Sequence, residues 1–155
     1  MSASKLQAAI DAATEEGRVA LIPFLPAGYP DKDRFFHELD QLDAGGADVI
    51  EIGMPFSDPV ADGPVVEEAS LHCLDLGVTL EWILGELANR PGRYRAPLVL
   101  MGYMNPFLQY GFEKLADQCE AAGVAGLIIP DLPLEESMET RRTLSVKGVD
   151  LVSLV

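Results

Sequence analysis

The stretch Asp48-Val49-Ile50-Glu51-Ile52-Gly53-Met54 decides how this chain folds. One carboxylate, Glu51, interrupts a run that is otherwise apolar on both strand faces, the pattern of a strand covered on both sides. The run follows the helix-stopping pair Gly45-Gly46 and a single small residue, Ala47. The same order of helix-ending glycine, small residue and buried strand returns at Gly123-Val124-Ala125-Gly126-Leu127 and at Gly148-Val149-Asp150-Leu151-Val152. Such strands, alternating with helices, indicate a parallel sheet covered by helices.

Outward from this stretch the alternation continues. Ser4 and Gln7 have capping-box spacing ahead of a stripe of Leu6, Ala9, Ile10 and Ala13, and Gly17 ends that helix. Val19 to Leu25 reads as a buried strand, and Pro26 to Pro30 as a loop. Asp31 caps a second helix carrying Phe35, Leu39 and Leu42. After the central strand, Pro55 to Pro64 is a loop. Helices are expected over 64–76 and, after Thr79 as cap, over 80–90. Pro97 to Gly102 reads as the third strand. Phe112, Leu115, Ala116 and Cys119 mark a helix that Gly123 closes. Leu127 to Pro130 reads as the fourth strand, 135–147 as helix, and Val149 to Val155 as the start of a fifth strand.

Two architectures fit this alternation, an open doubly wound sheet and a (β/α)8 barrel. No G-x-G-x-x-G follows the first strand, which counts against a dinucleotide-binding sheet. Nine of the eleven prolines lie at or after strand ends, at 23, 26, 30, 55, 59, 64, 106, 130 and 133; only Pro91 and Pro97 lie elsewhere. Proline stiffens a loop by fixing φ. Stiff loops after the strands and plain turns before them match a TIM barrel with its active site at the strand C-termini. The sequence stops inside the apolar run Asp150 to Val155, and a full barrel needs roughly 250 residues. Residues 1–155 therefore read as the N-terminal part of a single barrel domain, about five βα units of eight, with a cap helix in front. The loops after strands seven and eight would be absent. The alternative is a small open sheet with a terminal strand.

Composition narrows the function classes. At 48% hydrophobic and 23% charged over 155 residues, this is an ordinary globular chain. Its formal charge of −14 repels phosphate backbones and anionic membranes, so neither nucleic acid nor a membrane surface is an expected partner. No run approaches the length of a membrane span, and the N-terminus lacks the apolar core of a secretory signal. Cys73 and Cys119 form no CxxC pair. Cys119 lies on an apolar helical stripe and reads as a buried thiol, which fits a reducing cytoplasm.

Glu51 is the first candidate for chemistry. Strand alternation puts Val49, Glu51 and Gly53 on one face and Ile50 and Ile52 on the other. In a barrel the Glu51 face is the interior, where partial desolvation raises a carboxyl pKa toward the range useful for proton transfer. A carboxylate paired with a lysine or arginine is the structural alternative. Asp62 precedes Gly63-Pro64 and a helix, so N-capping competes with function there; Asp131 has the same ambiguity, and Asp58 before Pro59 suits an Asx turn. Phe24, Met101, Tyr103 and Ile128 lie near strand ends, where they either line an apolar pocket or fill the core. His37 and His72 lie on helices away from strand ends and read as surface or boundary residues. No His/Cys/Asp/Glu cluster has metal-ligand spacing, so no metal is expected.

Ile50-Glu51-Ile52-Gly53-Met54-Pro55-Phe56-Ser57-Asp58-Pro59-Val60-Ala61-Asp62-Gly63-Pro64 closely resembles the signature of the tryptophan synthase α subunit family. Pro23 to Pro30, Met101-Gly102-Tyr103-Met104-Asn105-Pro106 and Pro130 to Ser137 resemble the family's first, third and fourth strand regions, in order. The resemblance implies a (β/α)8 barrel that cleaves indole-3-glycerol phosphate to indole and glyceraldehyde 3-phosphate without a cofactor of its own. It implies a pyridoxal-phosphate-carrying β subunit as partner, in an α2β2 complex. Glu51 matches the family's acid–base carboxylate. Asp62 matches the carboxylate that holds the indole N–H, which overturns the capping expectation. Phe24, Met101, Tyr103, Ile128 and Leu154 fall at or near positions of the indole pocket. A non-catalytic subunit that only activates a β partner is the other reading, and the presence of both carboxylates argues against it.

Overall fold

Thr79, Asp31 and Ser4 each begin a helix by the same device. Their side-chain oxygens accept from the backbone N–H three residues on, at Trp82, Arg34 and Gln7, over 2.8–3.1 Å. A computed structural model describes residues 4–154. Its helices are α1 (Lys5–Glu15), α2 (Lys32–Ala44), α3 (Pro64–Asp75), α4 (Leu80–Ala88), α5 (Met104–Tyr110), α6 (Phe112–Ala122) and α7 (Met138–Ser145). Its strands are β1 (Phe24–Pro26), β2 (Ile50–Gly53), β3 (Leu98–Met101), β4 (Val124–Ile128) and β5 (Asp150–Val152).

The strands pair in the order β1-β2-β3-β4-β5, each parallel to the next. A doubly wound sheet reverses its strand order at a switch point. This order never reverses, so the described residues form a singly wound barrel wall. Ile50, Ile52, Leu98, Leu100, Leu127 and Leu151 point outward into one cluster with Phe35 and Leu39 of α2, Ile83 and Leu84 of α4, Leu115 of α6 and Leu144 of α7. Each such side chain contributes roughly 1.5–3 kcal/mol by leaving water. The inner face carries a smaller cluster of Val49, Val99 and Ala125 beneath Leu6 of α1, with Ala9 and Ile128 packed on it.

Several sequence expectations need correction. Val19 to Leu25 is not a buried strand. Val19 is 90% exposed and Leu21 57%, and the regular ladder begins only at Phe24. The segment runs beside β2, with Leu21 O accepting from Asp48 N and Pro23 O from Glu51 N at 2.9 Å each. It is held by charge as well: Arg18 grips both Asp48 oxygens at 2.6 and 2.8 Å, and Asp48 also accepts from Leu21 N. Among the described residues β1 has a strand neighbour on one side only, so these side chains lack the second cover that an apolar run suggests. β4 starts at Val124, three residues before the expected Leu127. The expected helix over 135–147 is a short 3-10 turn (Leu134–Glu136) followed by α7. An unexpected helix, α5, fills Met104–Tyr110. Pro106 is its third residue, where no intrahelical acceptor awaits the missing N–H.

Both cysteines are free and buried, as expected for Cys119. Burial pushes the Cys73 thiol up to about 11 and Cys119 to about 12. His37 and His72 are exposed, as expected.

Gly126 ties the cap helix to the wall. A Cβ there would lie 2.7 Å from Leu6 Cδ1 and 3.2 Å from the Asp150 carbonyl. Gly126→Ala should therefore cost about 1–3 kcal/mol of stability through overpacking. The double variant Leu6→Ala/Gly126→Ala should cost less than the two single changes added together. Denaturant melts of the four proteins check this, and strict additivity would contradict the contact.

Candidate active site

Parallel register builds the site row by row. Phe24, Glu51, Val99 and Gly126 share one row across β1 to β4. Two residues on, past the outward row of Leu25, Ile52, Leu100 and Leu127, the row of Pro26, Gly53, Met101 and Ile128 lies nearer the strand C-termini. Between Leu98 and Val99 the register shifts, so Ala125 is an extra residue on β4. Such a bulge sharpens local twist.

Gly53 is the small member of the upper row for a steric reason. The Phe24 ring lies over it, and a Cβ there would come within 2.6 Å of Phe24 Cε2 and collide with Cζ. Phe24, Gly53, Met101, Asp62 and Ser70 line one small cavity at this end of the sheet. The structure thus brings together Phe24, Met101 and Asp62 of the expected site residues.

Glu51 is half-buried on β2. Its carboxyl is held above the usual value, first by burial and then by the negative charge of Asp62. No ion-pair partner for Glu51 occurs among the described residues.

Asp62 sits in the loop between β2 and α3, and it does not cap that helix. The N-cap is Gly63, which makes no side-chain cap bond, and Pro64 begins the helix with no N–H to satisfy. The Asp62 side chain turns instead to Tyr103, whose hydroxyl donates to Oδ2 over 3.1 Å and accepts from Ala61 N over 2.9 Å. Tyr103 is buried, 2% exposed, and its ring stacks on Phe56 at 5.2 Å and 26°. Burial pushes the Tyr103 phenol up; the Ala61 N–H opposes this and Asp62 adds to it. The phenol therefore stays a neutral donor to the Asp62 carboxylate near neutral pH. Besides holding Asp62, Tyr103 lines a small cavity with Met54, Phe56 and Phe107.

The remaining candidates have other places. Ile128 is half-buried against the inner cluster. Leu154 lies beyond β5 and is 64% exposed, away from any enclosed wall. Asp131 accepts from Met104 N at 2.8 Å and so caps the first residue of α5. Asp58 accepts from the hydroxyl of Ser57. No group of three or more His, Cys, Asp or Glu side chains that could hold a metal ion occurs among the described residues. Sequence reasoning missed Ser70, which is buried in α3 and hydrogen-bonded to Phe56. Its signal was a lone hydroxyl in the helical stripe Val66, Ser70 and Cys73.

Comparison with known proteins points one way. The family model described as tryptophan synthase alpha chain matches residues 10–155. The alpha chain of Solidesulfovibrio magneticus is 63% identical over all of this chain and 60% of its own length. That of Nitratidesulfovibrio vulgaris is 60% identical over the same shares. A solved Mycobacterium tuberculosis tryptophan synthase superposes with a TM-score of 0.92 at 35% identity, covering 99% of this chain and 60% of the other. An alpha chain from Legionella pneumophila superposes with a TM-score of 0.89 at 32% identity, covering 97% and 57%. The chain spans about three-fifths of the length of the curated relatives it matches.

The raised carboxyl of Glu51 predicts a pH signature in stability. In the unfolded chain the group titrates near its usual 4.5, and in the folded chain higher. Between those values the folded state binds more protons, so the stabilising contribution is full below about 4.5 and is lost as pH rises through the folded value. Glu51→Gln removes that loss. Thermal melts should find the variant more stable than the parent at pH 7, with the difference vanishing below pH 4.5. A less stable variant at pH 7 would contradict the burial argument.

Proposed function

The chain belongs to the tryptophan synthase alpha chain family, and we propose that it supplies the acid–base part of a barrel that splits indole-3-glycerol phosphate into indole and glyceraldehyde 3-phosphate. The observation that carries this reading is the pairing of a half-buried Glu51 with a Tyr103-anchored Asp62 at the strand C-termini. That is the end of a barrel at which active sites are built.

In this reading the bond from indole C3 to the glycerol chain breaks when C3 gains a proton. The ring then becomes an iminium-like electron sink. The hydroxyl on the departing carbon loses a proton, its oxygen forms the aldehyde carbonyl, and the electron pair of the broken bond neutralises the ring. One proton leaves oxygen and one arrives on carbon, so no redox partner or cofactor is required. Glu51 carries the proton transfer, for which a carboxyl titrating above its usual range is suited. Asp62 accepts the indole N–H and faces the charge that develops on the protonated ring. Phe24, Met101 and Ile128 supply apolar surface for the ring, with Leu154 at the margin. Both carboxylates favour this over a purely activating, non-catalytic subunit.

Phosphate binding is assigned to the further βα units that longer relatives carry, since barrels of this kind grip phosphate with loops after strands seven and eight. The residues described here would thus form the N-terminal part of one barrel domain. Remote phosphate contacts position the reacting centre, so their loss lowers kcat as well as binding. The partner in this proposal is a β subunit carrying pyridoxal phosphate in an α2β2 assembly, and the compartment is the cytoplasm. No helix among the described residues is long and apolar enough to cross a membrane.

Indole release from indole-3-glycerol phosphate tests the proposal. The 155-residue chain alone should release essentially none. Mixed with a separately expressed C-terminal part of the Solidesulfovibrio magneticus relative, it should release indole, and Glu51→Gln should lower that rate by about 10²–10⁴-fold. Activity of the chain alone comparable to an intact relative would overturn the assignment of phosphate binding. Full activity of the Glu51→Gln mixture would overturn the role of Glu51.

A further inference from the structure

We propose that Ser70 is a positioning residue for this reaction, clamping the loop that carries Asp62 at Phe56 while Tyr103 holds it at Ala61 and Asp62. The inference rests on the role given to Asp62 above and extends it to a side chain that touches no reacting atom.

The loop from Met54 to Asp62 has few regular contacts to hold it. Its entry is fixed by Met54 N donating to Met101 O at 2.7 Å. Its exit is fixed by Tyr103 at Ala61 and Asp62. Between these points, Ser70 supplies a two-way hydrogen bond to one residue. Its hydroxyl accepts from Phe56 N at 2.8 Å and donates to Phe56 O at 3.1 Å. Ser70 is 6% exposed and sits on α3, fourteen residues further along the chain. A buried helical serine usually bonds back to its own helix. Here both the donor and an acceptor lone pair are turned outward to a neighbouring loop.

The consequence reaches Asp62 through one ring. Phe56 stacks on Tyr103, and the Tyr103 hydroxyl holds Asp62. With the Phe56 backbone fixed, the Tyr103 ring has a fixed wall, and Asp62 keeps its place facing Glu51. The groups that bear on this arrangement are few. Asp62 acts on Glu51 and on Tyr103, and Asp131 acts on Tyr103 from the loop after β4. Removing the Ser70 hydroxyl leaves the Phe56 N–H without its partner and frees the middle of the loop.

The test compares Ser70→Ala, Ser70→Cys and Ser70→Thr with the parent 155-residue chain. Cysteine keeps the volume and bonds weakly; threonine keeps the hydroxyl. Two readouts need no catalysis: amide exchange at Phe56 and Ala61, and the Glu51 titration followed by carboxyl 13C NMR. In the Ala and Cys variants both amides should exchange faster. The Glu51 midpoint should move down, because Asp62 no longer faces it at a fixed distance. Amides of the core strands, such as Leu100 and Leu127, should keep their protection. The Thr variant should match the parent. In the complementation assay the Ala variant should lose about tenfold in kcat/KM, the loss expected from one or two good hydrogen bonds. A lower Tm with unchanged Glu51 titration and unchanged Ala61 exchange would overturn the proposal and make Ser70 a packing residue only. If the parent mixture releases no indole, the lyase reading fails, while the exchange and titration results still decide whether Ser70 positions Asp62.

Discussion

Strand register is the constraint from which the rest follows. Side chains of a strand alternate with a period of two, so the pairing of β2 between β1 and β3 sends Ile50 and Ile52 into the helix-facing core and leaves Glu51 on the inner face. A slip of one residue would bury the carboxylate among Leu98, Leu100 and the helices and expose two isoleucines. The outer core makes that slip costly, since each misplaced isoleucine forfeits roughly 1.5–3 kcal/mol. The same apolar packing that stabilises the wall therefore delivers a carboxylate to the barrel interior.

Once there, Glu51 is governed by two effects of the same sign. Burial disfavours its charge, and Asp62 repels it. Asp62 lies in the loop after β2, where the Tyr103 phenol donates to it. The carboxyl of Glu51 is thereby held above its usual range by burial and by a neighbour of like charge. The loop that makes this possible is held by a serine and a tyrosine from two different βα units. The two carboxylates are placed by different parts of the architecture: a strand fixes Glu51, and a loop fixes Asp62.

The fold was largely legible in the sequence because its main signals are local. Helix caps at Ser4, Asp31 and Thr79, the left-handed Gly123 and the repeated glycine-to-strand pattern are properties of a few adjacent residues. What escaped is what depends on distant partners. Val19 to Ile22 has the composition of a buried strand, but cover on both sides is not a property of the segment itself. The helix α5 carries Pro106 in its first turn, and its N-terminus is satisfied by Asp131, 27 positions along the chain, a partner that no local pattern reveals. Glu51 stood out as a charge in an apolar strand. Asp62 did not, because its neighbours Gly63 and Pro64 gave it a plausible capping role, which the N-cap at Gly63 and the Tyr103 contact from 41 positions away remove. The resemblance of the Ile50 to Pro64 motif supplied the role that local reasoning lacked.

Glu51 on the inner face of β2 and Asp62 in the loop that follows form one electrostatic unit. It is tested most directly by titrating the Glu51 carboxyl with site-resolved 13C NMR in the parent chain and in Asp62→Asn. The account predicts a midpoint above the usual 4.5 in the parent and a lower midpoint in the variant, still above 4.5 because burial remains. A parent midpoint at or below 4.5, or one that Asp62→Asn leaves unmoved, would contradict it.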